Sequence, residues 1–260
     1  MKGITTCLRG PGPTWTLEKK VKYALTPILF LTTIISPALL TTPKVCAPTQ
    51  IELLPAEVVA PYVEVLNPAQ KGRGAGTVIE VDGEVLVLTA GHVVAGYKVK
   101  DAEDLPATIS KKALDLTESQ PADVIWYSPV EEEKGHDLAL LRPRNAKNLK
   151  PARLLLTPDI KIGEPTWYIG TPMGEHGRLE RSIVASLGER RLNHKWLGTN
   201  GCGYFGNSGG GLYVERGGHY HLAGVVTRIS GSYPKAMVLS KTPQDILGFL
   251  DSYRQSKKGK

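Results

Sequence analysis

The sequence predicts an all-β fold, with two sets of short strands forming two antiparallel barrels or sandwiches and one helix closing the chain. Three observations carry this expectation. The chain holds 28 glycines and 19 prolines among 260 residues, a density of turn-formers that suits many short strands and few long helices. Its apolar residues fall in short runs bounded by turn signals, at strand rather than helix length. Helical spacing is confined to the C-terminal end.

The first set of strands is expected at Gly76–Val81, Val85–Thr89, Val124–Tyr127 and Leu138–Leu141. The second is expected at Thr166–Ile169, Ile183–Leu187, Gly211–Val214, Ala223–Arg228 and Ala236–Leu239. Strands at this spacing argue against alternating βαβ units. At the end, Thr242 suits an N-cap, Pro243 suits the first turn, and Ile246, Leu247 and Leu250 recur at helical spacing. A closing helix is therefore expected from Pro243 to about Gln255. The folded domain spans 57–256, followed by a basic tail over 257–260.

The N-terminal region reads differently. A basic stretch over 1–22, ending in Lys19, Lys20 and Lys22, precedes an uncharged apolar segment over 23–40. A cation-flanked apolar run is the signature of a signal peptide or membrane anchor. The run is a little short of the roughly 20 residues a span needs, and Pro27 and Pro37 interrupt it. Val45-Cys46-Ala47 offers small residues for cleavage, with Pro48 directly after. Residues 41–56 read as a linker. Basic residues before the segment place the domain across a membrane, on the periplasmic, extracellular or lumenal side.

Composition narrows the function classes. Hydrophobic residues at 41% and charged residues at 22% describe a globular chain. The net charge of +7 comes from 32 Lys+Arg against 25 Asp+Glu, but the excess gathers at the two ends rather than in an aromatic-interleaved patch. Nucleic acid is not an expected partner. The cysteines are Cys7, Cys46 and Cys202. Two fall outside the domain, so Cys202 is expected to lack a partner and no disulfide framework is expected in the core. No Cys or His pair recurs at metal-ligand spacing, and neither a metal nor an organic cofactor is expected. His219 and His221 share a strand face and read as solvent-facing, and His136 reads as a loop residue.

Three segments carry chemistry. Leu88-Thr89-Ala90-Gly91-His92-Val93-Val94 puts a histidine at the end of an apolar strand. Gly135-His136-Asp137-Leu138-Ala139-Leu140-Leu141 puts an acid at the mouth of another. Gly206-Asn207-Ser208-Gly209-Gly210-Gly211-Leu212 sets a serine in a glycine-rich turn. Each alone has a plain explanation as a surface histidine, a strand cap or a hairpin turn. Together they fit acyl transfer. A serine hydroxyl needs a base within hydrogen-bond reach. Imidazole takes that proton and returns it to the leaving amine, and a carboxylate on the far ring nitrogen fixes the tautomer. Flanking glycines allow the N–H groups of Gly206 and Ser208 to converge on the oxyanion, each worth about 3–4 kcal/mol. An imidazole base also implies that activity falls as pH drops through about 6–7.

Thr89-Ala90-Gly91-His92, Asp137-Leu138-Ala139-Leu140-Leu141 and Gly206-Asn207-Ser208-Gly209-Gly210 resemble the triad motifs of trypsin-like serine peptidases. The order His, acid, Ser matches that fold and not other triad orders. The resemblance spans residues 60 to 255 and is closest to bacterial HtrA/Deg-type peptidases. Ile162-Gly163-Glu164-Pro165 and Tyr168-Ile169-Gly170-Thr171-Pro172-Met173-Gly174 resemble a stretch those proteins carry early in the second barrel. The resemblance implies two antiparallel six-stranded β-barrels. His92 and Asp137 would lie on the first and Ser208 on the second. It also implies that substrate pairs as an added strand along Thr227, Arg228 and Ile229, with Cys202 near the primary specificity pocket. Ile229, standing where a glycine often opens that pocket, implies small or medium apolar residues before the cut.

The departures carry weight too. Asn207 stands where digestive trypsins carry an aspartate that pairs with a new N-terminus, so activation by N-terminal cleavage is not expected. Nor is a PDZ domain expected after the closing helix. The leading expectation is a serine endopeptidase. A catalytically silent trypsin-like binding module and a viral polyprotein-processing protease are the alternatives.

Overall fold

Asp82-Gly83 shows how this sequence makes its hairpins. Both residues take positive φ, 52° and 80°, and join Gly72–Val81 (β2) to Glu84–Ala90 (β3) with Val81 opposite Glu84. A two-residue turn of this hand matches the twist of the flanking strands, and Asp-Gly is a preferred pair for it. The computed structural model describes residues 56–68, 72–95, 107–110, 119–128, 136–175, 177–190, 194–231 and 237–259. The chain divides into two units, Met1–Thr41 and Thr42–Lys260, and every described residue belongs to the second. The basic region 1–22, the apolar segment 23–40 and the linker up to residue 55 lie outside the described residues. Among the described residues no helix is long and apolar enough to cross a membrane.

After a single helical turn at Ala56–Val59 (α1), the first barrel begins with Tyr62–Asn67 (β1). It adds β2, β3, Ala107–Ser110 (β4), Ser119–Ser128 (β5) and Leu138–Pro143 (β6). The six strands close in the order β1-β2-β3-β6-β5-β4, the last pairing back to β1. The short Arg153–Leu154 (β7) then leads to the second barrel. That barrel comprises Pro165–Gly170 (β8), Arg178–Arg190 (β9), His194–Thr199 (β10), Gly211–Arg216 (β11), His219–Ser230 (β12) and Met237–Lys241 (β13). Here the order is β11-β8-β9-β10-β13-β12, and a β11–β12 pairing closes the ring, with β7 attached in parallel to β12. The two-barrel expectation and the closing helix are both found.

Alternation along the strands sorts the core into three parts. Val63, Val78, Val87 and Leu141 fill the first barrel. Tyr168, Val184, Leu212 and Val226 fill the second. The opposite faces of the same strands, including Leu86, Leu88, Leu140, Ile169 and Tyr213, join Phe249 and Leu250 of the closing helix in a third cluster shared by both barrels. Strands buried on both faces read as continuous apolar runs rather than alternating ones, which is why Leu138–Leu141 is apolar throughout.

The closing helix, Pro243–Lys258 (α2), starts as expected. Thr242 and Asp245 form a reciprocal capping box. It runs past Gln255, however, and the basic tail expected from residue 257 is helical through Lys258. Lys257 Nζ donates to Glu84 Oε2 at 2.8 Å, so a residue read as a solvated charge instead ties α2 to β3.

Candidate active site

Gly91 is where the first barrel builds its half of the site. β3 ends at Ala90, and a 3-10 turn over Gly91–Val94 presents His92. A Cβ at Gly91 would stand 2.9 Å from the Ser128 carbonyl oxygen and 3.1 Å from the Asp137 carbonyl carbon. Only glycine lets these backbones approach so closely. The Gly91 N–H donates to Asp137 O at 2.8 Å, bringing the histidine turn against the acid. Asp137 takes a φ of 52°, a left-handed conformation in which a short polar side chain can bond locally. It does so, since Oδ1 accepts the His92 backbone N–H at 2.9 Å. Both carboxylate oxygens lie 3.1 Å from His92 Nδ1. Asp137 is 1% exposed while the His92 side chain is 41% exposed. A buried carboxylate thus holds one ring nitrogen and leaves the other side of the ring open.

The second barrel supplies the serine by backbone geometry. Gly206 and Gly209 hold φ values of 96° and 88°. A Cβ at Gly206 would collide with the Thr171 carbonyl oxygen, and one at Gly209 with Ala75 O and Thr89 Oγ1. Ser208 O accepts the Ala75 N–H at 2.8 Å, and a Cβ on Gly74 would touch both Ser208 O at 2.9 Å and Val93 Cγ2 at 2.7 Å. The serine turn therefore docks on β2 beside the residue that follows His92. No hydrogen bond joins Ser208 Oγ to His92. The N–H groups of Gly206 and Ser208 have no backbone acceptor among the described residues.

The Gly209 N–H donates to Val226 O at 2.7 Å and the Val226 N–H to Gly210 O at 2.9 Å, which fixes β12 beside the serine turn. A bulge follows between Val226 and Arg228. Thr227 turns inward, 2% exposed, and its hydroxyl has no partner among the described residues. Arg228 is exposed, with its guanidinium carbon 5.6 Å from the centre of the Trp196 ring, and Ile229 is half-buried. Beyond Val226 the strand pairs with β13 alone among the described residues. One backbone edge is left open there.

A match to the trypsin-like peptidase domain covers residues 74–219, more than half of the chain, and takes in all three strand-end motifs. The chain belongs to the trypsin-like peptidase family. It is 29% identical over 160 residues to the periplasmic serine endoprotease DegP of Escherichia coli K12, spanning 60% of this chain and 30% of that protein. To the serine protease PepD of Mycobacterium tuberculosis H37Rv it is 27% identical over 143 residues, 54% of this chain and 29% of that one. The chain thus spans less than a third of the length of these curated relatives. The crystal structure of a serine endoprotease from Yersinia pestis superposes with a TM-score of 0.61 at 20% identity, over 79% of this chain and 67% of that one. It shares the trypsin-like double-barrel fold.

Several features around the trypsin-like centre escape the sequence. Cys202 is disulfide-bonded, which corrects the expectation that it stands alone. No second cysteine lies among the described residues, so a count confined to the domain hid the bridge. The Cys202 N–H donates to Glu180 Oε1 at 2.6 Å. The Tyr168 hydroxyl lies 2.6 Å from Cys202 O and 2.7 Å from Glu180 Oε2. Burial, followed by the Glu180 charge, holds the Tyr168 phenol well above its ordinary pKa.

Asn207 is 2% exposed, its Oδ1 has no partner among the described residues, and it packs where a Cβ on Gly170 would come within 2.6 Å. Tyr62 reaches from the first barrel to Thr171 Oγ1 at 2.6 Å, and burial pushes its pKa up to about 12. His136 packs edge-on against Phe249, ring centres 6.1 Å apart, and His219 Nδ1 lies 2.9 Å from Glu57 Oε1. A cleft of about 480 Å³ lined by Pro158, Ile160, Leu187, Trp196, Thr242 and the start of α2 includes neither the candidate triad His92, Asp137 and Ser208 nor Cys202, Thr227, Arg228 or Ile229.

Proposed function

We propose that the chain is a serine endopeptidase in which Ser208 is the nucleophile, His92 the general base and Asp137 the residue that orients it. One observation carries the reading: both Asp137 oxygens stand 3.1 Å from His92 Nδ1 while the Asp137 carboxylate is buried. That arrangement commits Nδ1 as a donor and leaves Nε2 as the basic nitrogen.

Ser208 Oγ attacks the scissile carbonyl as Nε2 takes its proton. The carbonyl oxygen becomes an oxyanion that the N–H groups of Gly206 and Ser208 can receive. The C–N bond then breaks, the amine leaves with the proton from Nε2, and water repeats the sequence to release the acyl group. No metal or organic cofactor takes part.

Substrate is a polypeptide bound as an added strand on the open edge at Thr227, Arg228 and Ile229. Ile229 narrows the pocket that Cys202 flanks and so favours small or medium apolar residues before the cut. The DegP relative is named periplasmic, and residues 23–40 have the composition of an export signal or anchor. Together these support export of the domain, with the segment as its route or its membrane attachment.

A silent binding module is favoured by one observation, the lack of a Ser208–His92 hydrogen bond. Such bonds often tighten only when substrate binds. Hydrolysis of denatured casein by the full chain, lost in both Ser208→Ala and His92→Ala, separates the two. Wild-type protein that binds casein without cutting it would favour the module.

A further inference from the structure

Four large apolar side chains stand out in water among the described residues. Phe205 and Met173 border the serine turn, whereas Leu156 and Ile162, 71% and 66% exposed, lie in the segment between β7 and β8. Single exposed apolar residues need no explanation, but Leu156 and Ile162 share a loop whose backbone is pinned. The Leu155 N–H donates to Leu222 O at 3.0 Å and the Ile160 N–H to Pro158 O at 2.8 Å, and both side chains are buried in the second barrel. The Gly163 N–H donates to Val184 O at 2.8 Å, and Arg216 donates to Asp159 O and Glu164 Oε1. Leu156 and Ile162 are thus held in water on a fixed frame. Between them the exposed Pro158 lines, with Ile160, the apolar cleft that Leu187 also borders.

The charge around this loop has one sign. Along 144–163 the exposed Arg144, Lys147, Lys150, Arg153 and Lys161 stand against one acid, Asp159. Glu164, next in sequence, is paired with Arg216. Aliphatic tips among cations suit the boundary of an anionic bilayer, where apolar side chains sink and lysines and arginines meet the headgroups. They suit a protein partner poorly, because interface centres favour Trp, Tyr and Arg and are depleted in Lys.

The place of the loop in the chain points the same way. Glu57 Oε1 lies 3.9 Å from Arg153 Nη2, so the described chain begins beside this connector. Only residues 41–55 separate that point from the apolar segment 23–40, a span of at most about 50 Å. The candidate site lies elsewhere. β8 runs from Pro165, near the loop, to Gly170, and the Thr171 N–H then reaches Gly206 O at 3.3 Å. One strand length, roughly 17–20 Å, separates the loop from the serine turn.

We propose that the loop bearing Leu156 and Ile162, with the basic connector around it, docks the folded domain on an anionic lipid bilayer and holds the candidate site clear of that surface. This contact is separate from the apolar segment 23–40 and does not depend on peptidase activity.

The test reconstitutes the full chain in phosphatidylcholine vesicles with or without phosphatidylglycerol, with one added indole from Leu156→Trp, Ile162→Trp or Phe205→Trp. Acyl chains brominated near the headgroups quench an indole that reaches them. A docked residue sinks roughly 5–10 Å into that boundary, so the emission added at 156 and 162 should fall about twofold when phosphatidylglycerol is present. The emission added by Phe205→Trp should stay unchanged. About 1 M salt, which shortens the screening length to about 3 Å, should release the quenching, and Lys161→Glu should weaken it. Protein that stays in the aqueous phase overturns the proposal. Vesicle-bound protein whose indoles at 156 and 162 are unquenched overturns it too, because attachment then runs through the preceding chain alone. So does equal quenching without phosphatidylglycerol, or at all three positions. Blue-shifted emission at 156 and 162 without vesicles, with a doubled sedimentation mass, overturns it in favour of a second copy.

Discussion

The two barrels build their halves of the site by different means. In the first, side-chain bonds dominate: a buried Asp137 receives the His92 backbone N–H and faces the His92 ring with both oxygens. In the second, backbone shape dominates. Ser208 is placed by glycines whose missing Cβ atoms leave room for Thr171 O and Ala75 O. The contrast has a consequence. The half proposed to hold the base should tolerate an isosteric change structurally while losing its chemistry, whereas the half proposed to hold the nucleophile should fail structurally when a single methyl is added.

Gly209→Ala should give the largest effect. It adds a Cβ at a φ of 88° that meets Ala75 O and Thr89 Oγ1. Loss of about 3 kcal/mol or more of stability is expected, together with loss of measurable activity. Thermal unfolding beside a peptide assay checks both, and an unchanged Tm would break the comparison.

Asp137→Asn sharpens it from the other side. Asparagine suits the left-handed backbone at 137 and keeps the side-chain shape, but its amide cannot act as the anionic acceptor. A fall in kcat of about 10³–10⁴ is expected with little change in Tm. A Tm loss as large as that of Gly209→Ala would show that the two halves are built alike.

A smaller effect concerns Lys241, far from either device in sequence. It is buried at the end of β13, its ammonium has no hydrogen-bond partner among the described residues, and it lies 4.4 Å from the centre of the Trp196 ring. Desolvation lowers its pKa in the folded chain. The unfolded chain therefore holds more protons between that lowered value and about 10.5, and wild-type stability should rise with pH across this interval. Lys241→Met should stabilise the domain by about 1 kcal/mol at neutral pH and remove that rise. Denaturant melts across alkaline pH measure both.

How much of this was legible follows from the range of each interaction. The strand at Leu138–Leu141 and the α2 cap at Thr242 depend on near neighbours, and local patterning marks them. β1 did not stand out because Glu64 interrupts its apolar run. The structure buries that carboxylate and matches it with Arg73 of the next strand. β10 has little apolar pattern, and β7 is only two residues long.

Within the candidate site, His92, Asp137 and Ser208 stood out in the sequence because each sits in a distinctive short motif beside a strand. What surrounds them was not. Tyr62 meets Thr171 across 109 positions, and Arg73 meets Gly174 across 101, distances over which no local pattern carries information. The exposure of Met173 was equally hidden, since an apolar residue between Pro172 and Gly174 reads as ordinary turn filler.

The most direct test of the central claim is to react the full chain with a fluorophosphonate and locate the adduct by peptide mass mapping. The account predicts one adduct, on Ser208, lost in His92→Ala although Ser208 is still present, because the hydroxyl is activated only when the base is in place. Folded wild-type protein that takes up no label, or label that persists on Ser208 in His92→Ala, would contradict it.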